Sequence, residues 1–193
     1  MREYRFQATD ETLRALRRLR TSWAGFVLGQ LSFTVHLSDG DTVRIEAEPV
    51  DVEGVFDAYR ITASVNAIPK SEDELNGDTP KDWPIGPVVA PGSFGEGGND
   101  VVLFSGASWS DPTVTAADGQ FGANATMSFS GHPGQISDAA EIVCITTDAL
   151  VVASNTGEGL LVRMGLKPES LDVVRNPDAV RTFLNERGYA GGG

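Results

Sequence analysis

Apolar residues recur along this chain with two different periods, and the switches between them predict its elements. Leu13, Leu16, Leu19 and Trp23 follow one another at helical spacing and form a stripe roughly 120° wide. Thr9 and Asp10 are helix-capping residue types, and Asp10 and Glu11 suit the positive end of a helix dipole. These signals predict a helix that starts at Thr9 or Asp10 and ends between Ser22 and Gly25. Arg14, Arg17 and Arg18 fall opposite the stripe.

From Leu31 the period becomes two. Leu31, Phe33, Val35 and Leu37 alternate with Ser32, Thr34 and His36, which predicts a strand with one buried face. Ser38-Asp39-Gly40-Asp41 is a hairpin signal, and Val43, Ile45 and Ala47 alternate beyond it. A two-residue loop would set His36 opposite Val43 and put apolar residues on both faces. A three-residue loop with Gly40 left-handed pairs Leu37 with Val43 and Val35 with Ile45, and is preferred. It also places His36 by Arg44, Thr34 by Glu46 and Ser32 by Glu48. Tyr59, Ile61, Ala63 and Val65 mark a third strand over 57–66, so the first 66 residues are expected to form a helix and a three-strand meander.

Residues 68–100 interrupt the pattern. They hold five of the ten prolines, six glycines, and seven acids against two lysines. A loop that long is usually functional or disordered, and Trp83 and Phe94 within it suggest packing on something. Strands are then expected at Val101–Phe104, at Ala123–Phe129, and at 141–146, 150–154 and 160–164, with turns at 131–134 and 155–159. At the end, Asn176 is a cap, Pro177 takes the first helical position, Val180, Phe183 and Leu184 form the buried stripe, and Gly188 terminates the helix. The fold class that follows is α+β in a single domain over 1–193. It is a mainly antiparallel β-core of about 7–8 strands, with an N-terminal amphipathic helix and a C-terminal capped helix.

Charge adds a second layer. The chain carries −12 over 193 residues. Its first 20 residues hold six arginines against Glu3, Asp10 and Glu11, a surplus of three positive charges, so the remainder stands at −15. An acidic chain repels phosphate backbones and anionic membranes, which argues against nucleic-acid and membrane partners. The longest apolar run, Ala149 to Ala153, is far short of the roughly 20 residues of a spanning helix. With no secretory pattern at the start, the expected location is cytoplasmic.

Candidate chemistry is sparse. Ser108 with His132 and Asp111 or Asp118 has the residue types of a hydrolytic triad, but the G-x-S-x-G elbow is missing. Cys144 with His132 is a second pairing, set against the apolar strand around the cysteine. Glu72, Glu74, Asn76 and Gly77 echo a calcium loop until its twelfth position, which is Trp83 where Glu is required. Asp138 and Glu141 fit one face of a helical turn capped by Ser137. The glycines from Gly95 to Gly98 lack phosphate-loop spacing.

No motif therefore carries a reaction, and neither a metal nor another cofactor is implied. What remains is surface. Arg14, Arg17 and Arg18 are the candidate partner-binding residues, and Trp83, Phe94, Trp109 and His132 are the candidate lining of a pocket under the 68–100 loop. The expected function is a non-enzymatic interaction protein, a small acidic regulator, adaptor or inhibitor of a basic protein. The alternative is a small-molecule binding protein or hydrolase using that pocket. Exposed edges of the meander offer a route to homo-oligomers.

Overall fold

Why the first helix stops where it does sets the geometry of everything after it. In the computed structural model the helix α1 runs Asp10–Arg18, with Thr9 as its cap, accepting from the Thr12 N–H at 3.2 Å. It is shorter than the apolar spacing predicts. Trp23 does share the core with Leu16 and Leu19, but from the start of a strand, and its indole N–H donates to the Leu19 carbonyl at 2.9 Å. That bond satisfies a carbonyl orphaned at the helix end. A tryptophan four residues past a leucine therefore mimics a further helical turn while actually closing the helix.

The structure describes residues 1–29, 32–52, 56–66, 99–115, 126–154, 159–165 and 170–189. Ten strands stand among them: β1 (Arg2–Phe6), β2 (Trp23–Leu28), β3 (Ser32–Leu37), β4 (Thr42–Val52), β5 (Phe56–Val65), β6 (Asn99–Thr115), β7 (Thr126–Gly131), β8 (Ile142–Ser154), β9 (Gly159–Met164) and β10 (Leu171–Val174). A second helix, α2, spans Pro177–Glu186. One sheet has the order β2-β3-β4-β5, the other β10-β9-β8-β6-β7, with β1 alongside β8. Every described pairing is antiparallel except β1 with β8. The fold is thus mostly antiparallel β with two helices, and it has more strands than the 7–8 expected. The predicted 68–100 loop lies outside the described residues apart from its last two.

The β3–β4 hairpin corrects the expected register by two residues. Val35 faces Val43 and Phe33 faces Ile45, because the loop is 38–40, closed by the Leu37 N–H to the Asp41 carbonyl at 2.8 Å. Gly40 is left-handed at φ +97°, as expected. In a three-residue loop, however, the left-handed residue follows the turn and comes last, so the closing pair must be Leu37 and Asp41. A shift of two leaves every side chain on its predicted face, and Phe33, Val35, Val43 and Ile45 are all fully buried. His36 lies opposite Thr42, Thr34 opposite Arg44, and Ser32 opposite Glu46.

The two stretches expected as separate strands at 141–146 and 150–154 are one strand, β8. It pairs with β6 along one edge, and along the other with β1 over its first half and β9 over its second. Leu150 and Val152 enter the main core, which the first sheet and α1 close with Phe33, Ile45, Leu16 and Leu19. Ala149 and Val151 enter a second cluster, under Val180 and Phe183 of α2. A strand covered on both faces has no polar alternation, which is why this run is nearly all apolar. Pro49 sits within β4, paired with Tyr59, at a point where β3 has ended and that flank needs no donor.

α2 ends as its sequence predicts. Asn176 accepts from the N–H groups of Asp178 and Ala179 at 2.9 and 3.1 Å. Gly188 (φ +69°) donates to the Asn185 carbonyl and Tyr189 to that of Leu184, the paired bonds of a Schellman motif.

Candidate functional site

The arginine face of α1 follows from its buried face. Thr12, Ala15, Leu16 and Leu19 are turned into the core, and Arg14 and Arg17 are consequently exposed, with Arg18 half-buried. The structure divides the three. The Arg18 guanidinium donates to Asp39 at 2.5 Å and Asp41 at 2.8 Å, both in the β3–β4 loop. Arg18 beside it holds the Asp39 carboxyl below the usual carboxylate range. Among the described residues, Arg14 and Arg17 hold no such bond.

Elsewhere the same neutralisation repeats. Arg44 pairs with Glu46 at 2.9 Å and Arg60 with Glu48 at 2.7 Å on the first sheet; Arg163 pairs with Asp172 at 2.9 Å on the second. Arg5, Arg20 and Arg181 pair with Glu3, Asp100 and Asp178.

The most buried of these pairs was not foreseen. Between Phe104 and Ser105 the β6–β8 ladder slips, so that Phe104 faces Ala149, Ser105 faces Thr147, and Asp148 is an extra, bulged residue. Arg187, capping α2, donates to its two carboxylate oxygens at 2.5 and 3.3 Å and to the Ser105 carbonyl at 2.8 Å. The two side chains are 20% and 13% exposed, and the guanidinium lies 5.0 Å from the Phe183 ring centroid. A Cβ built on Gly106 would stand 2.1 Å from an Asp148 oxygen, so glycine there makes room for the carboxylate. The signal for this site is a lone acid inside an apolar strand, because a buried charge needs a partner.

Burial raises the Asp148 carboxyl above its ordinary value, outweighing Arg187, which lowers it, as His132 does more weakly. The folded state therefore binds this proton more tightly than the unfolded chain. Its stabilising contribution is full below the ordinary value of 3.8 and is lost as pH rises through the raised folded value. Urea midpoints should show wild type losing stability relative to Asp148→Asn as pH climbs from the ordinary value towards neutrality. The opposite slope would mean that Arg187 outweighs burial.

The predicted pocket residues are only partly visible. Trp83 and Phe94 lie outside the described residues, as do Asp118 and the calcium-loop echo. Trp109 is 8% exposed and packs with Ala107, Ala140, Val143 and Ile145. His132 is close by, next to Gly131, and its Nδ1 accepts the Gly134 N–H at 3.1 Å. Ser108 sits mid-sheet, opposite Ser130 on one side and Cys144 on the other. Cys144 is fully buried with Val50, Val52 and Ala58, and burial pushes its thiol up to about 11. A thiol so held is a poor nucleophile. Ser137 caps a turn through its side chain, accepting from the Ala139 N–H at 3.2 Å, and Asp138 and Glu141 are both exposed.

No group of three or more His, Cys, Asp or Glu side chains converges among the described residues. No helix there is long and apolar enough to cross a membrane. No family model, curated protein or solved structure matches this chain.

Proposed function

We propose that this chain is a non-enzymatic interaction protein, a small acidic regulator, adaptor or inhibitor that binds a basic protein. The observation that supports the reading is the internal use of its cations. At least eight arginines are held by the chain's own carboxylates, while the net charge remains −12. That surplus of acid steers a cationic partner by long-range attraction.

Arg14 and Arg17 make the reading testable. Both are exposed and unpaired among the described residues, so Arg14→Glu with Arg17→Glu should change stability by no more than about 0.5 kcal/mol. Affinity capture from the native host with wild type and this variant is expected to recover the same basic partner, with the variant binding at least as well. Loss of the partner from the variant would instead assign docking to α1 and an acidic partner, against the proposal.

A further inference from the structure

β8 is held unequally along its length. One edge pairs with β6 throughout, and the other pairs with β9 from Ala149 to Ala153. Over Ile142–Thr146 that second edge is covered by β1, the one parallel pairing among the described strands. β1 has five residues; Arg2, Glu3 and Arg5 are exposed, and Tyr4 and Phe6 are half-buried. No described strand pairs with its outer edge.

β1 and α1 are anchored in different places. Tyr4 and Phe6 pack on a small cluster of Val50, Val52, Ala58 and Cys144. α1 is fixed in the main core by Ala15, Leu16 and Leu19. Between the two elements, the Ala8 N–H donates to the Thr147 hydroxyl at 3.0 Å, while Gln7 is exposed. Thr147 thus pins the chain just past the strand, and a rotation at Gln7 releases β1 without disturbing the helix. A segment with few buried contacts opens at a much lower free energy than the core does.

We propose that β1 is a strap that opens as a unit about Gln7, baring the edge of β8 over Ile142–Thr146 and the flank of Cys144, while both sheets and α1 stay closed. The register fixes which groups report it. The Arg2 N–H donates to the Glu141 carbonyl at 2.7 Å, and alternate residues of a parallel strand bond the same way. Arg2, Tyr4 and Phe6 therefore turn their backbone groups towards β8, where Val143 and Ile145 donate back to Arg2 and Tyr4. Ile142, Cys144 and Thr146 bond instead to β6, opposite Ser110, Ser108 and Gly106. Opening of β1 thus frees every second amide along this half of β8.

Hydrogen exchange of the full chain, followed residue by residue by NMR, tests this in the wild type. Tyr4, Phe6, Val143 and Ile145 should exchange together, about tenfold or more faster than Cys144 and Thr146. Low urea should barely change their rates, because opening a strap exposes little surface. Cys144 is 0% exposed in the closed fold, so its thiol serves as a second reporter. It should react with a small aromatic disulfide with the same weak urea dependence as Val143 exchange. Phe6→Ala removes one of the two anchors and should speed both signals about tenfold, leaving exchange at Leu150 and Val152 unchanged. Val143 and Ile145 exchanging in step with Cys144 and Thr146 overturns the proposal. So does a wild-type thiol that reacts only with the urea dependence of global unfolding. A Phe6→Ala chain that also exchanges faster at Leu150 and Val152 would tie β1 to the main core, against the proposal.

Discussion

Arg187→Ala should destabilise the fold by about 3 kcal/mol at neutral pH, because it strands an ionised carboxylate whose side chain is largely buried. Three bonds go with the guanidinium, two to Asp148 and one to the Ser105 carbonyl. The carboxyl can relieve the cost only by taking up a proton, so the loss should shrink as pH falls. A paired replacement separates the pair's net worth from the cost of breaking it. Arg187→Met keeps an aliphatic stem against Phe183, and combined with Asp148→Asn it should recover to within about 1 kcal/mol of wild type. Urea denaturation of the two single variants and the double variant measures all three terms. A single variant that loses less than about 1 kcal/mol would show that water already solvates the bulge.

Phe33→Ala should cost still more, about 4 kcal/mol. Phe33 is fully buried at the centre of the main core, with its ring 5.2 Å from that of Phe26 and 6.2 Å from that of Trp23. Deleting it removes the ring contacts with Trp23 and Phe26 of β2. The cavity left there opens between β-strands whose ladders resist collapse, which places the site towards the costly end of such substitutions. Phe33→Leu, which keeps most of the volume, should lose no more than about 1.5 kcal/mol. If alanine and leucine cost the same, the ring is not filling the core as described.

How much of this was legible from residue types depends on whether each element's partners lie nearby in the chain. α2 was readable because its cap, its proline and its terminal glycine are local chemistry, and each bond they imply is present. The β3–β4 hairpin was readable to within two residues, since the period fixes faces but only loop geometry fixes the pair that closes. β1 was not readable. Its charges disguise a strand whose parallel partner, β8, begins at Ile142. β2 was hidden by Trp23, which falls at helical spacing from Leu19 yet belongs to the sheet.

The small residues Ser105, Gly106, Ala107 and Ser108 look like a bend, but β6 continues through them because β8 pairs with all four and β7 with Ala107 and Ser108. Asp148 split β8 into two apparent strands for the reason that makes it important. A bulge re-aims its side chain from the ladder towards Arg187, and no local pattern announces a partner 39 residues away. As for the candidate site, the arginine face was correctly placed on α1, but its charge was not correctly divided. The hairpin loop that follows supplies the two aspartates that take Arg18 out of the exposed set.

The proposed function turns on whether surplus surface acid is what a partner reads. The direct measurement is the affinity of the captured partner for the intact chain across ionic strength, by titration calorimetry from about 50 to 500 mM salt. The account predicts a basic partner whose affinity falls at least tenfold over that range, mostly through slower association. An affinity that is flat or rises with salt would contradict it.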